Sequence, residues 1–143
     1  MARVDATVVS ITCTTVSTTG SYRDITQQCL EMTPGIMHEA ILQETHTFGD
    51  AWTEQGFTGL RRLGEITFRG FYDDDTSTGV AGIFGNTTDV GAERVFKIKT
   101  GTTNLYPKFD CIVRSFTRNP KVGELTPFEL VVAPTGALTF ATT

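Results

Sequence analysis

Between Gly64 and Tyr72 the chain alternates without a break: Ile66, Phe68, Gly70 and Tyr72 on one side, Glu65, Thr67, Arg69 and Phe71 on the other. Successive side chains of an extended backbone point to opposite faces, so this stretch predicts a strand with one buried and one wet face. Such a strand needs partners, and the rest of the sequence supplies them. Thr is abundant, Gly numbers 14, and Leu and Lys are sparse, which is a β-type composition.

Around the central strand, Val4 to Thr15 is a β-branched run that reads as a strand with a bend. Thr18 to Arg23 reads as a turn and Asp24 to Met32 as a second extended segment, which Thr33-Pro34-Gly35 ends. Ile36 to Phe48 is either helix or strand by periodicity, and its β-branched and polar mix favours strand. Phe48 to Leu63, rich in Gly and carrying the single Trp52, reads as a long ordered loop. Asp75 or Thr76 can cap a short helix that places Val80, Ile83 and Phe84 on one face, with Gly85 as its stop. Arg94 to Lys99 and Lys108 to Thr117 form a hairpin pair. Leu125 to Ala133 and Ala137 to Phe140 complete the strands, the last two separated by the turn Pro134-Thr135-Gly136. Many short strands with one short helix predict a mainly β domain, a β-sandwich or open barrel, spanning residues 1 to 143 as one unit.

Charge and chemistry narrow the function. The length suits one core, and 39% hydrophobic with 20% charged residues is a globular composition. The longest apolar runs, such as Leu130 to Ala133, are far too short to cross a bilayer, and no secretory leader is expected at the N-terminus. The net charge of −4 is the wrong sign for gripping phosphate backbones and the right sign for not adhering to them. Cys13, Cys29 and Cys111 are odd in number and widely spaced, so they are expected as buried small hydrophobes in a reducing compartment rather than as a disulfide framework. His38 and His46 share no ligand motif, and the sequence holds neither a nucleophile elbow nor a phosphate-binding Gly-Lys-Ser/Thr element. The triplet Asp73-Asp74-Asp75 lacks the ligand spacing of a calcium loop and reads as a solvated turn that favours the positive end of the next helix. No catalytic residue, cofactor or metal is expected, so the chain does not read as an enzyme.

Three segments in order carry a family resemblance: Phe109-Asp110-Cys111-Ile112-Val113-Arg114-Ser115-Phe116, then Gly123-Glu124-Leu125-Thr126-Pro127-Phe128-Glu129-Leu130, then Pro134-Thr135-Gly136-Ala137-Leu138-Thr139-Phe140. The middle, from Trp52-Thr53-Glu54 through Gly59-Leu60 to Gly64 to Asp73, agrees in order. Together they resemble the major tail (tail-tube) proteins of long-tailed, non-contractile bacteriophages and their gene-transfer-agent relatives, over roughly residues 48 to 140. The resemblance implies a tail-tube fold in which strands of six subunits share an inner β-barrel and the hexameric rings stack into a tube. It implies a virion tail assembled in the host bacterial cytoplasm. The implied partners are other copies of itself, a tape-measure protein in the lumen during assembly, tail-tip and tail-terminator proteins, and DNA passing without adhering, with no membrane.

On that reading Phe48, Trp52, Phe57 and Leu60 form an inter-ring loop. For Trp52 an anchor on a neighbouring ring and a pin to its own domain stand side by side. Glu39, Glu65, Asp110 and Glu129, acids within expected strands, are candidates for the lumen wall; two of the four are expected there, the alternative being the wet face of a monomer. Arg69 and Arg114 occupy comparable faces. The competing functions are a β-sandwich binding module, for carbohydrate in particular, and another ring protein of the tail such as its terminator.

Overall fold

The structure, a computed structural model, describes residues 9–33, 38–45, 48–49, 51–100, 106–136 and 138–141. The strands are β1 (Val9–Thr14), β2 (Tyr22–Asp24), β3 (Cys29–Thr33), β4 (His38–Thr45), β5 (Glu54–Leu63), β6 (Ile66–Phe71), β7 (Glu93–Thr100), β8 (Tyr106–Arg118), β9 (Pro127–Pro134) and β10 (Thr139–Ala141). One short helix, α1, covers Ala81–Phe84. Eight strands form an antiparallel sheet in the order β2-β1-β7-β8-β9-β6-β3, with β10 also on β8, while β4 and β5 pair with each other in a separate two-stranded ladder.

The two ends of that order are consecutive in the chain. β2 pairs β1, β3 pairs β6, and a single 3-10 turn at Thr26–Gln28 joins them. Ile25 N–H donates to the Ile11 carbonyl at 3.0 Å, and Ile11 N–H to Thr26 Oγ1 at 2.8 Å. The sheet therefore curls back towards its own beginning, a mainly β fold of the sandwich or open-barrel kind. Strand β8 makes the corner. Its Lys108 to Ile112 pair with β7 and its Cys111 to Arg118 with β9, and the ladder to β9 slips at Arg114. An extra residue bends the strand and increases its twist, which sends the two halves of β8 into different parts of the sheet.

The inward faces follow the alternation of the sequence. Ile66 and Phe68 of β6, Phe96 and Ile98 of β7, Phe109, Cys111 and Val113 of β8, and Phe128, Leu130 and Val132 of β9 are all buried. Phe96 lies at the centre of an aromatic stack, with ring centroids 5.1 Å from Phe68, 6.0 Å from Phe109 and 6.4 Å from Phe84. Phe116 extends it from Phe84 to Phe128 at 5.8 and 5.7 Å. Gly70 continues the inward row where no side chain fits, because a Cβ there would stand 1.7 Å from the Gln28 carbonyl oxygen.

Helix α1 plugs into this core through Val80, Ile83 and Phe84, the three residues whose spacing marked it in the sequence. Its cap differs from expectation. Val80 occupies the N-cap without a side-chain hydrogen bond, and Gly85 at the C-cap keeps a right-handed φ of −79°. Asp75 serves the preceding turn instead, its Oδ1 accepting from Ser77 N–H at 2.8 Å. Asp24 to Met32 is likewise not one extended segment: the Asp24 carboxylate accepts from Thr26 N–H at 2.9 Å and starts the 3-10 turn.

The guanidinium of Arg94, 3% exposed, ties the ends together: it donates to the carbonyls of Val16 at 2.6 Å and Ile83 at 3.3 Å and pairs with Asp89 at 3.2 Å. Cys13, Cys29 and Cys111 are free thiols, two of them buried. Burial pushes Cys29 and Cys111 up to about 12, which makes them chemically quiet. Replacing Phe96 by Ala empties the centre of the stack and is expected to lower unfolding stability by about 3–5 kcal/mol, read as a shift of the urea midpoint at unchanged slope.

Candidate assembly surface

In chain order β3 is followed by β4 and β5 by β6, and the pairings of β3 with β6 and of β4 with β5 nest as one long antiparallel hairpin. Its base, with Met32 opposite Phe68 and Thr33 opposite Thr67, belongs to the main sheet. Its outer part, from His38 opposite Leu63 to Thr45 opposite Glu54, has only itself for a partner among the described strands. At about 3.3 Å per residue this arm is roughly 25 Å long. Residues 51 to 62 are all exposed.

The expectation of a loop over Phe48 to Leu63 is thus corrected: Glu54 to Leu63 is a ten-residue strand. A strand with both faces wet shows no alternation of apolar and polar residues, and Gly56 and Gly59 disguise it further. Gly59 is needed where it stands. Thr58, Gly59 and Leu60 together oppose Ile41, and this bulge places Gly59 at φ +87°, where a side chain is strained. Thr58 Oγ1 closes the bulge by donating to the Ile41 carbonyl at 2.8 Å.

The arm presents apolar surface that its own domain does not cover. Phe48 and Trp52 are 108% and 85% exposed, Leu60 62%, and the directly opposed pair Leu42 and Phe57 about half. Trp52 therefore does not pin the segment to its own domain. Arg61 lies over the Phe57 ring at 5.0 Å, and Arg62 pairs across the strands with Glu39. An isolated two-stranded hairpin is marginal in water, and open strand edges are templates for pairing.

The outward surface of the main sheet carries two rows of opposite character on either side of the β8 bend. On one, Glu31, Arg69, Glu129 and Thr117 stand side by side across β3, β6, β9 and β8. Arg69 bridges Glu31 at 2.9 Å and Glu129 at 3.4 Å, and the hydrogen bond to Glu31 is the main reason its guanidinium is held further in the charged form. Close by, Arg114 Nη1 donates to both carboxylate oxygens of Glu65. Asp110 is exposed on the same strand β8 and has no ion-pair partner among the described residues. On the other row, Asp24, Thr12, Lys97, Lys108 and Thr139 are register neighbours across β2, β1, β7, β8 and β10. Lys97 and Lys108 stand directly opposite each other, a repulsive arrangement eased by the Tyr22 ring 3.8 Å from Lys97 Nζ.

The structure thus brings Glu65, Asp110 and Glu129 onto the outside of the main sheet and leaves Glu39 on the arm. Phe57 and Leu60 stand exposed on β5, and Phe48 and Trp52 stand exposed between β4 and β5 in the chain. The lysine row and the contribution of Glu31 escaped sequence reading, because rows across a sheet join residues distant in the chain. Lys97 alternating with buried Phe96 and Ile98 was the available signal.

Among the described residues, no group of three or more His, Cys, Asp or Glu side chains is placed to hold a metal ion. His38 is exposed at the arm root, and His46 lies outside the described residues. At the acidic turn, Asp73 Oδ1 accepts from Asp75 N–H at 3.0 Å, and Asp75 is held down to about 2 by hydrogen bonds from Ser77 and Thr78.

The fold is one shared with chains of gene transfer agent particles. The likeness is to a chain in the "Tail of empty GTA particle computed with helical refinement, C6 symmetry", with a TM-score of 0.67 and 17% identity over 98% of this chain and 99% of that one. A chain in the "Virion of native gene transfer agent (GTA) particle" aligns with a TM-score of 0.69 and 16% identity over the same shares. At such identities the likeness establishes the fold. No family model and no curated protein matches the sequence.

Two expectations follow. Trp52 is the single tryptophan, so the isolated subunit is expected to show red-shifted emission freely quenched by acrylamide, and Trp52→Ala to change its unfolding stability by no more than about 0.5 kcal/mol. The Asp75 carboxyl, depressed below its ordinary 3.8, contributes stability that is complete above that value and is lost as pH falls towards 2. Carboxyl NMR titration is expected to place its midpoint near the lower figure, and in Asp75→Asn the corresponding loss of melting temperature between these pH values is expected to shrink.

Proposed function

We propose that this chain is a tail-tube subunit, a structural virion protein that closes into hexameric rings and stacks them into a DNA-conducting tube. One observation carries the reading: 98% of the chain shares its fold with a chain of a particle tail refined with C6 symmetry. The long exposed arm supports it, because open edges and unburied apolar residues are what a head-to-tail contact between copies would complete. A heterologous contact with the right rotation closes into a ring, and a ring built from sheet edges leaves fewer edges to pair indiscriminately.

In this reading the arm residues Phe48, Trp52, Phe57 and Leu60 reach the neighbouring ring. The row with Glu31, Arg69 and Glu129, together with Glu65 and Arg114, faces the lumen, where three carboxylates outnumber two guanidiniums, while Asp110, two residues from Lys108 on the same face of β8, stays with the lysine row. Carboxylates repel phosphates, whereas even weak cationic contacts repeated around and along a tube would hold DNA fast. The lysine row of β7 and β8 faces away from the passage. Glu39, neutralised by Arg62 on the arm, belongs with the ring contacts and not with the lumen wall. The partners are other copies of the chain, a tape-measure protein occupying the lumen during assembly, and tail-tip and terminator proteins at the ends. The site of action is the virion tail, assembled in the cytoplasm of the bacterial host.

Electron microscopy of the concentrated protein, alone and with tail-tip initiator, tests this. Stacked six-fold rings with a channel wide enough for duplex DNA are expected, with a blue shift of Trp52 emission on assembly. Particles that remain monomeric under both conditions would sink the proposal.

A further inference from the structure

The two ends of the central hairpin carry complementary surfaces. At the Ile66 end of β6 the chain passes into the arm, one face of which bears Leu42, Phe57 and Arg61. At the Phe71 end lies an open groove lined by Tyr72, Asp73, Asp74, Glu124, Leu125 and Thr126. Its floor is fixed by Tyr72 N–H donating to the Thr126 carbonyl at 2.8 Å, and Arg118 is occupied there, donating to Tyr72 Oη at 2.8 Å. Leu125 is 70% exposed, and Val122 beside it in the β8–β9 turn is fully exposed. Asp74 and Glu124 are exposed, and neither has an ion-pair partner among the described residues.

We infer that this groove receives the arm face of a second copy stacked head to tail, with Leu42 and Phe57 covering Leu125 and Val122 while Arg61 pairs with Asp74 and Glu124. The inference rests on the tail-tube reading and adds the acceptor surface to it. Three features commit the groove to this occupant. Arm root and groove lie at opposite ends of one strand, so copies in the same orientation bring them together without rotation about a two-fold axis. The charges are opposite across that contact, whereas a two-fold contact of arm root with arm root would set Arg61 and Arg62 against themselves. Both partners also leave apolar side chains in water next to their charges, the pattern of a contact with an apolar centre and a polar rim.

The test is a charge exchange followed by sedimentation and negative-stain microscopy, with circular dichroism confirming that each subunit is folded. Arg61→Glu and Asp74→Lys/Glu124→Lys are each expected to cut the tube fraction about tenfold or more, since breaking an interfacial ion pair is costly, while single rings persist. Combining the two sets is expected to restore tubes. Wild-type yield and length of tubes in the separate variants would overturn the acceptor assignment and leave the tube reading standing, as would combined variants that fail to recover. Wild-type protein that forms no ring would overturn the tube reading and this inference with it.

Discussion

The contact on which the rest depends is the stacking of Phe96 against Phe68, Phe84 and Phe109. These four rings come from β7, β6, α1 and β8, so one buried cluster fixes the central strands and the helix relative to one another. β6 is also the root of the arm. Its direction is thus set inside the core, by Ile66 and Phe68, directly after the chain comes in from the arm at Leu63. Arg94 reinforces the arrangement from the side by joining the carbonyl of Ile83 to that of Val16. Burying a guanidinium is costly unless it is paired and hydrogen-bonded, and Arg94 finds partners at three separate points of the chain, which makes it a clasp rather than a surface charge.

The parts of this architecture that face the core were legible in the sequence. Ile66, Phe68 and Gly70 alternated as they pack, and Val80, Ile83 and Phe84 lie inward as their spacing required. Legibility stopped where burial stopped. The strand Glu54 to Leu63 has no dry face, so nothing in its order of apolar and polar residues marks a ladder, and Gly59 looks like loop until its positive φ and the opposed Ile41 are seen. The 3-10 turn after Asp24 was hidden by a local side-chain hydrogen bond that a propensity argument passes over. Acids in strands were visible one by one, but their partners were not: Arg69 and Glu129 are 60 residues apart and Arg114 and Glu65 are 49. Such pairs exist because the topology places β9 between β6 and β8, and no local pattern announces it.

The outward surface divides its charges in a way that composition conceals. A net charge of −4 spread evenly would give no preferred side for a polyanion. Here the guanidiniums of Arg69 and Arg114 are each held by neighbouring carboxylates, and the ammonium groups of Lys97 and Lys108 are gathered across the bend of β8. Exposed ion pairs of this kind contribute little to stability. Their effect is to turn the guanidiniums of this face towards carboxylates of the same subunit.

The bulge of the arm has a mechanical consequence. Where Thr58, Gly59 and Leu60 oppose Ile41, the regular ladder is interrupted and a glycine carries the turn, so the hairpin yields there more easily than along its paired stretches. A filament whose subunits were joined through such arms would concentrate curvature in these joints and leave each aromatic core unstrained. It would bend as a chain of stiff links does, without any link changing shape.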